Sequence, residues 1–460
     1  MRSRASATQK AKRAVASASP ASAHATASPL TLLLVLAMLG SLLATYRLQV
    51  ARTPAPLPPA RPADEFHVVF STDCGSYQNW QSEVVYHSAT LAGQPGRVTR
   101  IASGCTDAEA AKLRARHAEP DLAGRFLVHL TPHFSTDGDS GKDYKFYNKP
   151  YGLRHWLARA DLGDDAIVAL IDPDFIFLRP LTADVSNASA ILASAPVDAA
   201  AAAARFRRVR RGQPAGQFYG LGDGWLKFDR ETICGPESPC ANVTAADAWR
   251  YYSVGPPYVA HVDDLRAIAA KWCDFVPRVF AQYPELLAEM YAYSMAAAHL
   301  RLPHLRLDHY MLSNTQAYGE AWPWVDGAAR SSCDESLPQR LWPHHNVPVF
   351  VHYCQGYRFP DTTAHTKGHT ELVFGKRRIP HDVFASCAGG RLPRPSPLDF
   401  GADHGDLRAT PAPGPPGKDL RDRKRAAFMF CAATDTVNAV KAKFAHLGLR
   451  RAADGGACEP

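Results

Sequence analysis

The chain has 460 residues, 46% of them hydrophobic and 21% charged, which excludes a disordered chain and leaves enough apolar mass for one large domain with appendages. A formal net charge of +8 is modest for this length, and no basic stripe interleaved with aromatics appears, so a nucleic-acid partner has little support. Ten cysteines without a CxxC or a histidine at zinc-finger spacing argue against a metal cluster of that kind; their even number suits disulfides, and Cys234 and Cys240 flank a GPESP loop they can close.

At the N-terminus, residues 1–28 contain Arg2, Arg4, Lys10, Lys12 and Arg13 and no acid. Residues 29–46, PLTLLLVLAMLGSLLATY, carry no charge and are near the shortest length that crosses a bilayer as a helix. The flanking charges predict a cytosolic basic tail over 1–28 and a transmembrane signal-anchor over 29–46, with the bulk of the chain in the lumen. A cleaved signal peptide and a plastid transit peptide are the competing readings. Residues 47–65, rich in Pro and Ala, read as an extended stem. The sequons at Asn187 and Asn242 fit a secretory compartment.

A β/α alternation follows. Strand-like segments at 66–72, 97–104, 125–132 and 166–172 are separated by helical ones at 77–93, 106–118 and 148–160, the second opened by a Thr106/Glu109 capping box. This order predicts an α/β fold, a mostly parallel sheet flanked by helices. Trp80 and Tyr86 are expected to pack helix on sheet. The basic cluster in 200–216 reads as a solvated loop, Asp263 and Asp264 as caps of the helix that follows them, 283–302 as a strong helix, and 347–357 as a late buried strand. The globular domain is placed at 66–388, a Pro/Gly-rich linker at 389–418, and a tail at 419–460 with room for one helix.

The chemistry is expected where the fourth strand ends, in DDAIVALIDPDFIFLRPL. Alternate strand residues face the same way, so Asp172 and Asp174 can present two carboxylates about 7 Å apart at their Cα atoms. Pro173 ends regular pairing between them. Ligand crevices of open α/β sheets lie beyond the carboxyl ends of the strands, and paired hard oxygens there suit Mn²⁺ or Mg²⁺ shared with a substrate diphosphate. An Asp-x-Asp pair alone is a weak signal, since a turn with a capping Asp has the same composition.

Longer segments add specificity. FSTDCGSYQNWQSEVVYHSATLAGQPGRVTRIASG (70–104), DYKFYNKPYGLRHWL (143–157), IDPDFIFLRPL (171–181), VGPPYVAHVDDLRAIAAKW (254–272) and LLAEMYAYSMAAAHLRL (286–302) resemble the hydroxyproline O-arabinosyltransferases and peptidyl-serine α-galactosyltransferases of plants and algae, in order over about residues 66–375. HVDDLR leans toward the serine branch. The resemblance implies a GT-A-like (Rossmann-like) glycosyltransferase, single-pass type II in the Golgi or endoplasmic reticulum membrane, with a UDP-sugar donor and a hydroxyproline- or serine-rich peptide acceptor. It places Asp172, Asp174, Asn148 and Lys149 at the nucleotide-sugar and puts Asp172, Asp174 and His352 on a divalent cation, Mn²⁺ before Mg²⁺. It also places Glu289 and Tyr291 at the reacting centre and Tyr293 on the acceptor. Each has a plainer alternative: His352 as a core histidine, Glu289 on a solvated face, Lys149 as a surface residue beside Pro150. Neutralising either aspartate is expected to abolish turnover and spare stability. Two rival functions fit the same residues, a metal-dependent phosphoesterase and a membrane-tethered nucleotide-sugar or peptide-binding protein without turnover.

Overall fold

The computed structural model describes residues 66–136, 141, 143–185, 208–308, 310–317, 319–326, 348–361, 370–384, 391–393 and 416–446. The expected membrane span, the stem, the Asn187 sequon and most of the 389–418 linker lie outside them. Among the described residues no helix is long and apolar enough to cross a membrane.

The alternation read from the sequence is present. Strands β1 (Phe66–Asp73), β2 (Arg97–Ser103), β3 (Phe126–Thr131) and β4 (Ile167–Ile171) alternate with helices α1 (Ser76–Leu91), α2 (Asp107–Ala118) and α3 (Asn148–Leu157). Thr106 and Glu109 close a reciprocal capping box at the start of α2. Beyond β4 come β5 (Phe175–Phe177), β6 (Ala215–Phe218), β7 (Val254–His261), α4 (Val262–Gln282), α5 (Ala288–His299), β8 (Leu305–Leu307) and β9 (Met311–Leu312). The last elements are β10 (Phe350–His352), β11 (Gly356–Asp361), β12 (Thr370–Gly375) and α6 (Pro416–His446).

The main sheet has the order β3-β2-β1-β4-β7-β6-β8. β1 to β4 pair in parallel, β7 runs antiparallel to both of its neighbours, and β8 pairs in parallel with β6. The fold is therefore α/β with a mixed, mostly parallel sheet. Period-two alternation sorts its side chains into two cores. Val69, Val168 and Leu170 face α3, α4 and α5, whereas Val68, Phe70, Ile167, Ala169 and Ile171 face α1 and β5. Both faces are covered, which is why β4 reads as a continuous apolar run. Gly152 lets α3 lie close on the sheet, since a Cβ there would sit 3.1 Å from Ile101 Cγ2.

A third core joins Trp80 and Val84 of α1 to Tyr353, Phe374 of β12 and the buried face of α6. Trp80 stacks on Tyr353 at 5.9 Å and Tyr86 packs against Phe70 and Phe126, as expected for helix-on-sheet contacts. The disulfide Cys234–Cys240 closes the GPESP loop, and Cys74–Cys105 ties the turns after β1 and β2. Asn242 of the second sequon is exposed.

Three expectations need correction. The cap of α4 is His261, whose Nδ1 accepts from the Asp263 N–H at 3.2 Å; Asp263 and Asp264 lie inside its first turn, and Asp264 accepts from Gly212 N–H instead. The 283–302 helix begins only at Ala288, because Tyr283 is extended ahead of Pro284, where α4 has just ended. The late strand is only three residues long, since Gly356 already belongs to the separate β11–β12 hairpin. Within 200–216 the described arginines of the basic cluster, Arg208, Arg210 and Arg211, are exposed, while Ala215 and Gly216 beyond them are buried in β6.

Candidate active site

Asp172 follows Ile171 and so continues the face of Val168 and Leu170, toward α3 and α5. There its Oδ1 meets Lys149 Nζ at 2.9 Å. Lys149 stands in the first turn of α3 just before Pro150, a residue suited to a helix start. The same ammonium bonds Glu289 Oε1 at 2.8 Å, from the first turn of α5. Lys149 thus bridges two acids from two elements. Burial works against its charge, but Asp172 and Glu289 outweigh it and hold its pKa above the ordinary lysine value. Burial dominates at Glu289, whose pKa is raised. Glu289 Oε2 has no partner among the described residues.

Pro173 turns the chain out of the main sheet into β5, and this brings in the distant histidine. β5 pairs antiparallel with β10, with Phe175 opposite His352, and the Tyr353 N–H donates to the Asp174 carbonyl at 3.1 Å. His352 Nε2 consequently lies 3.2 Å from Asp174 Oδ1. Lys376, just past β12, pairs with Asp174 Oδ2. Burial would raise the Asp174 pKa, yet His352 and Lys376 hold it well below the usual carboxylate range. Burial would likewise lower that of His352, but Cys354 and Asp174 keep it well above the ordinary imidazole value. On the other ring edge, His352 Nδ1 is 3.1 Å from the Tyr219 hydroxyl. The Tyr219 ring can lie there because Gly255 has no side chain; a Cβ would come within 2.2 Å of the ring.

One ligand atom each from Asp172, Asp174 and His352 falls within 4.8 Å of the others. Two carboxylates and an imidazole, on a backbone fixed by three strands, fit a divalent cation that keeps positions open for substrate oxygens. The imidazole's other nitrogen already has an oriented partner in Tyr219, the usual arrangement behind a ligating histidine.

The remaining expected residues go elsewhere. The Asn148 amide is spent on the loop after β3, accepting from the Phe134 N–H at 2.9 Å and donating to Ser135 Oγ at 2.7 Å. Tyr293 is fully buried, stacked on Tyr258 at 3.7 Å with its hydroxyl on His304 Nε2 at 2.8 Å, so it offers no surface to an acceptor. Tyr291 is two residues from Glu289, about 200° around the helix, and packs edge-on to Phe228 and Tyr283 rather than beside Lys149. Sequence reasoning missed Tyr219 and Lys376. Neither sits in a motif, and both arrive through pairings between segments far apart in the chain.

Residues 66–199 match the profile of the hydroxyproline O-arabinosyltransferase family N-terminal domain. Two curated relatives are the peptidyl serine alpha-galactosyltransferases of Arabidopsis thaliana, 30% identical over 261 residues, and of Chlamydomonas reinhardtii, 28% identical over 251. The matches cover 52% and 51% of this chain but only 27% and 30% of those proteins, so the chain spans less than a third of their length. Among solved structures, an active-site mutant of LgtC aligns at 12% identity and TM-score 0.32, covering 66% of this chain and 92% of that one. The galactosyltransferase LgtC with donor and acceptor sugar analogs aligns at 11% and 0.32, covering 63% and 87%. Over residues 66–199 the chain is thus similar to the hydroxyproline O-arabinosyltransferase family N-terminal domain.

Proposed function

We propose that this chain is a cation-dependent glycosyltransferase of GT-A architecture. It would move a sugar from a UDP-sugar to hydroxyproline or serine in hydroxyproline-rich secretory glycoproteins. The observation that carries this reading is the convergence of Asp172, Asp174 and His352 at the carboxyl end of β4, in a chain whose relatives are named for sugar transfer to peptidyl serine. Asp172, Asp174 and His352 would hold Mn²⁺, with Mg²⁺ the alternative. When bound, the cation supplies Lewis-acid neutralisation of charge on the departing diphosphate.

The chain's own residues do the rest. Lys149 brings a fixed positive charge to the phosphate side of the pair. Glu289 holds that ammonium from behind through its 2.8 Å contact, which makes it a positioning residue. Tyr219 orients the His352 ring. The disulfides Cys74–Cys105 and Cys234–Cys240 support a luminal site of action, in the Golgi or endoplasmic reticulum, with the apolar run 29–46 as its single membrane anchor. Imaging a tagged chain distinguishes that location from a plastid.

The direct test incubates the full chain with Mn²⁺, a panel of UDP-sugars, and hydroxyproline- and serine-containing peptides, followed by mass spectrometry. Added mass separates pentose from hexose, and fragmentation locates the modified residue. Asp172→Asn is expected to lower transfer by about 10²–10³, the scale of losing one electrostatic stabiliser of a transition state. Wild-type transfer by that variant would sink the reading, as would hydrolysis of the donor with no peptide product.

A further inference from the structure

Both acids of the candidate cation site already carry a positive partner. Lys149 lies on Asp172, and Lys376 lies on Asp174 with its own side chain about a quarter exposed. With His352 on the other oxygen, both Asp174 oxygens are engaged. A dication added to this cluster meets two ammoniums in a poorly solvated setting, where like charges repel strongly. Lys149 has a second acid to retreat to, Glu289. Lys376 forms its ion pair with Asp174 alone among the described residues, and it stands partly exposed in the short turn Lys376–Arg378 at the end of a hairpin.

We propose that Lys376 is a displaceable placeholder: its ammonium occupies the cation's place on Asp174 and moves to the diphosphate when cation and nucleotide arrive together, so that the two ligands bind cooperatively. This rests on reading Asp172, Asp174 and His352 as the cation site. The diphosphate supplies the negative charge that the released ammonium needs, and the vacated carboxylate oxygen goes to the cation. Each ligand alone must break the ion pair without that compensation. By linkage, the nucleotide raises cation affinity by the same factor as the cation raises nucleotide affinity.

The test measures Mn²⁺ binding to the full chain by electron paramagnetic resonance of the free ion, with and without UDP, and UDP binding by calorimetry with and without Mn²⁺. For the wild type, UDP is expected to tighten Mn²⁺ binding within the about 5–150-fold range of such couplings. Lys376→Met is expected to bind Mn²⁺ alone more tightly than the wild type and to lose most of the enhancement by UDP. Lys376→Arg, which keeps the charge, is expected to keep the coupling. A Met variant with wild-type Mn²⁺ affinity and undiminished enhancement overturns the proposal, because a merely structural ion pair leaves the coupling intact. If that variant does not fold, the wild type decides: Mn²⁺ affinity indifferent to UDP overturns the proposal while leaving the cation site standing. Failure of the wild type to bind either ligand removes both.

Discussion

Asp172 and Asp174 are two residues apart, and the sequence treats them as equivalents. Their surroundings separate them. Asp174 is buried between His352 and Lys376, so removing its charge leaves the buried His352 without its acid and the partly exposed Lys376 without its ion pair. Asp174→Asn is therefore expected to cost about 3–5 kcal/mol, the scale of breaking a buried ion pair from one side. Asp172→Asn is expected to cost clearly less, because Lys149 keeps Glu289. Urea unfolding of the two variants checks the order, and equal stabilities would contradict it. The expectation that either change spares stability thus holds better for Asp172. Tyr293→Phe makes a complementary case. It is expected to lose about 1–3 kcal/mol by leaving His304 Nε2 unsatisfied, with KM for the peptide unchanged; a raised KM at unchanged stability would return Tyr293 to the acceptor.

At the scale of elements, α5 shows how much a motif leaves undecided. The run EMYAY reads as three site residues, but 3.6 residues per turn puts Tyr291 on a different side from Glu289. Tyr293 does share the Glu289 face, yet lies one turn deeper, against Tyr258. Nothing local reveals that depth. Helix α6 is a second instance. It follows a Pro/Gly-rich stretch, yet Phe428, Met429, Phe430 and Cys431 are buried in one core with Trp80 and Tyr353. Phe430 meets Phe374 of β12 edge-on at 6.5 Å, and β12 leads directly to Lys376. Phe430→Ala is expected to cost about 3–5 kcal/mol, as large-to-small core changes do. Thermal melting measures it; a loss under half that size would mean the helix merely covers the hairpin.

The whole molecule responds to pH through imidazoles that are partly or fully buried. Burial lowers the pKa of His87, His117, His129 and His304 from 6.5 to about 4. Below 6.5 the unfolded chain takes up protons that the folded chain refuses until about pH 4. Stability present above pH 6.5 is therefore lost as pH falls through that window. His352, held above its ordinary value, acts in the opposite sense. Asp121, against burial, is held below the usual carboxylate range by Arg116 and Lys443, so its contribution disappears only at still lower pH. A melting temperature that declines between pH 6.5 and 4 is the expected result, followed by calorimetry; a level profile there would contradict it.

What the sequence by itself determined is local and periodic. Apolar alternation, helical spacing and the Thr106 capping box set β1 to β4 and their helices, because each depends on neighbours a few residues away. The acids at the end of β4 are legible for the same reason, since a buried strand rarely ends in two carboxylates without a charge partner. Which groups answer those acids was decided by tertiary structure. His352 arrives through antiparallel pairing with β5, Lys376 through the β11–β12 hairpin, and Tyr219 across Gly255. Burial and charge pairing are properties of chain segments brought together from far apart, and no window of sequence contains them.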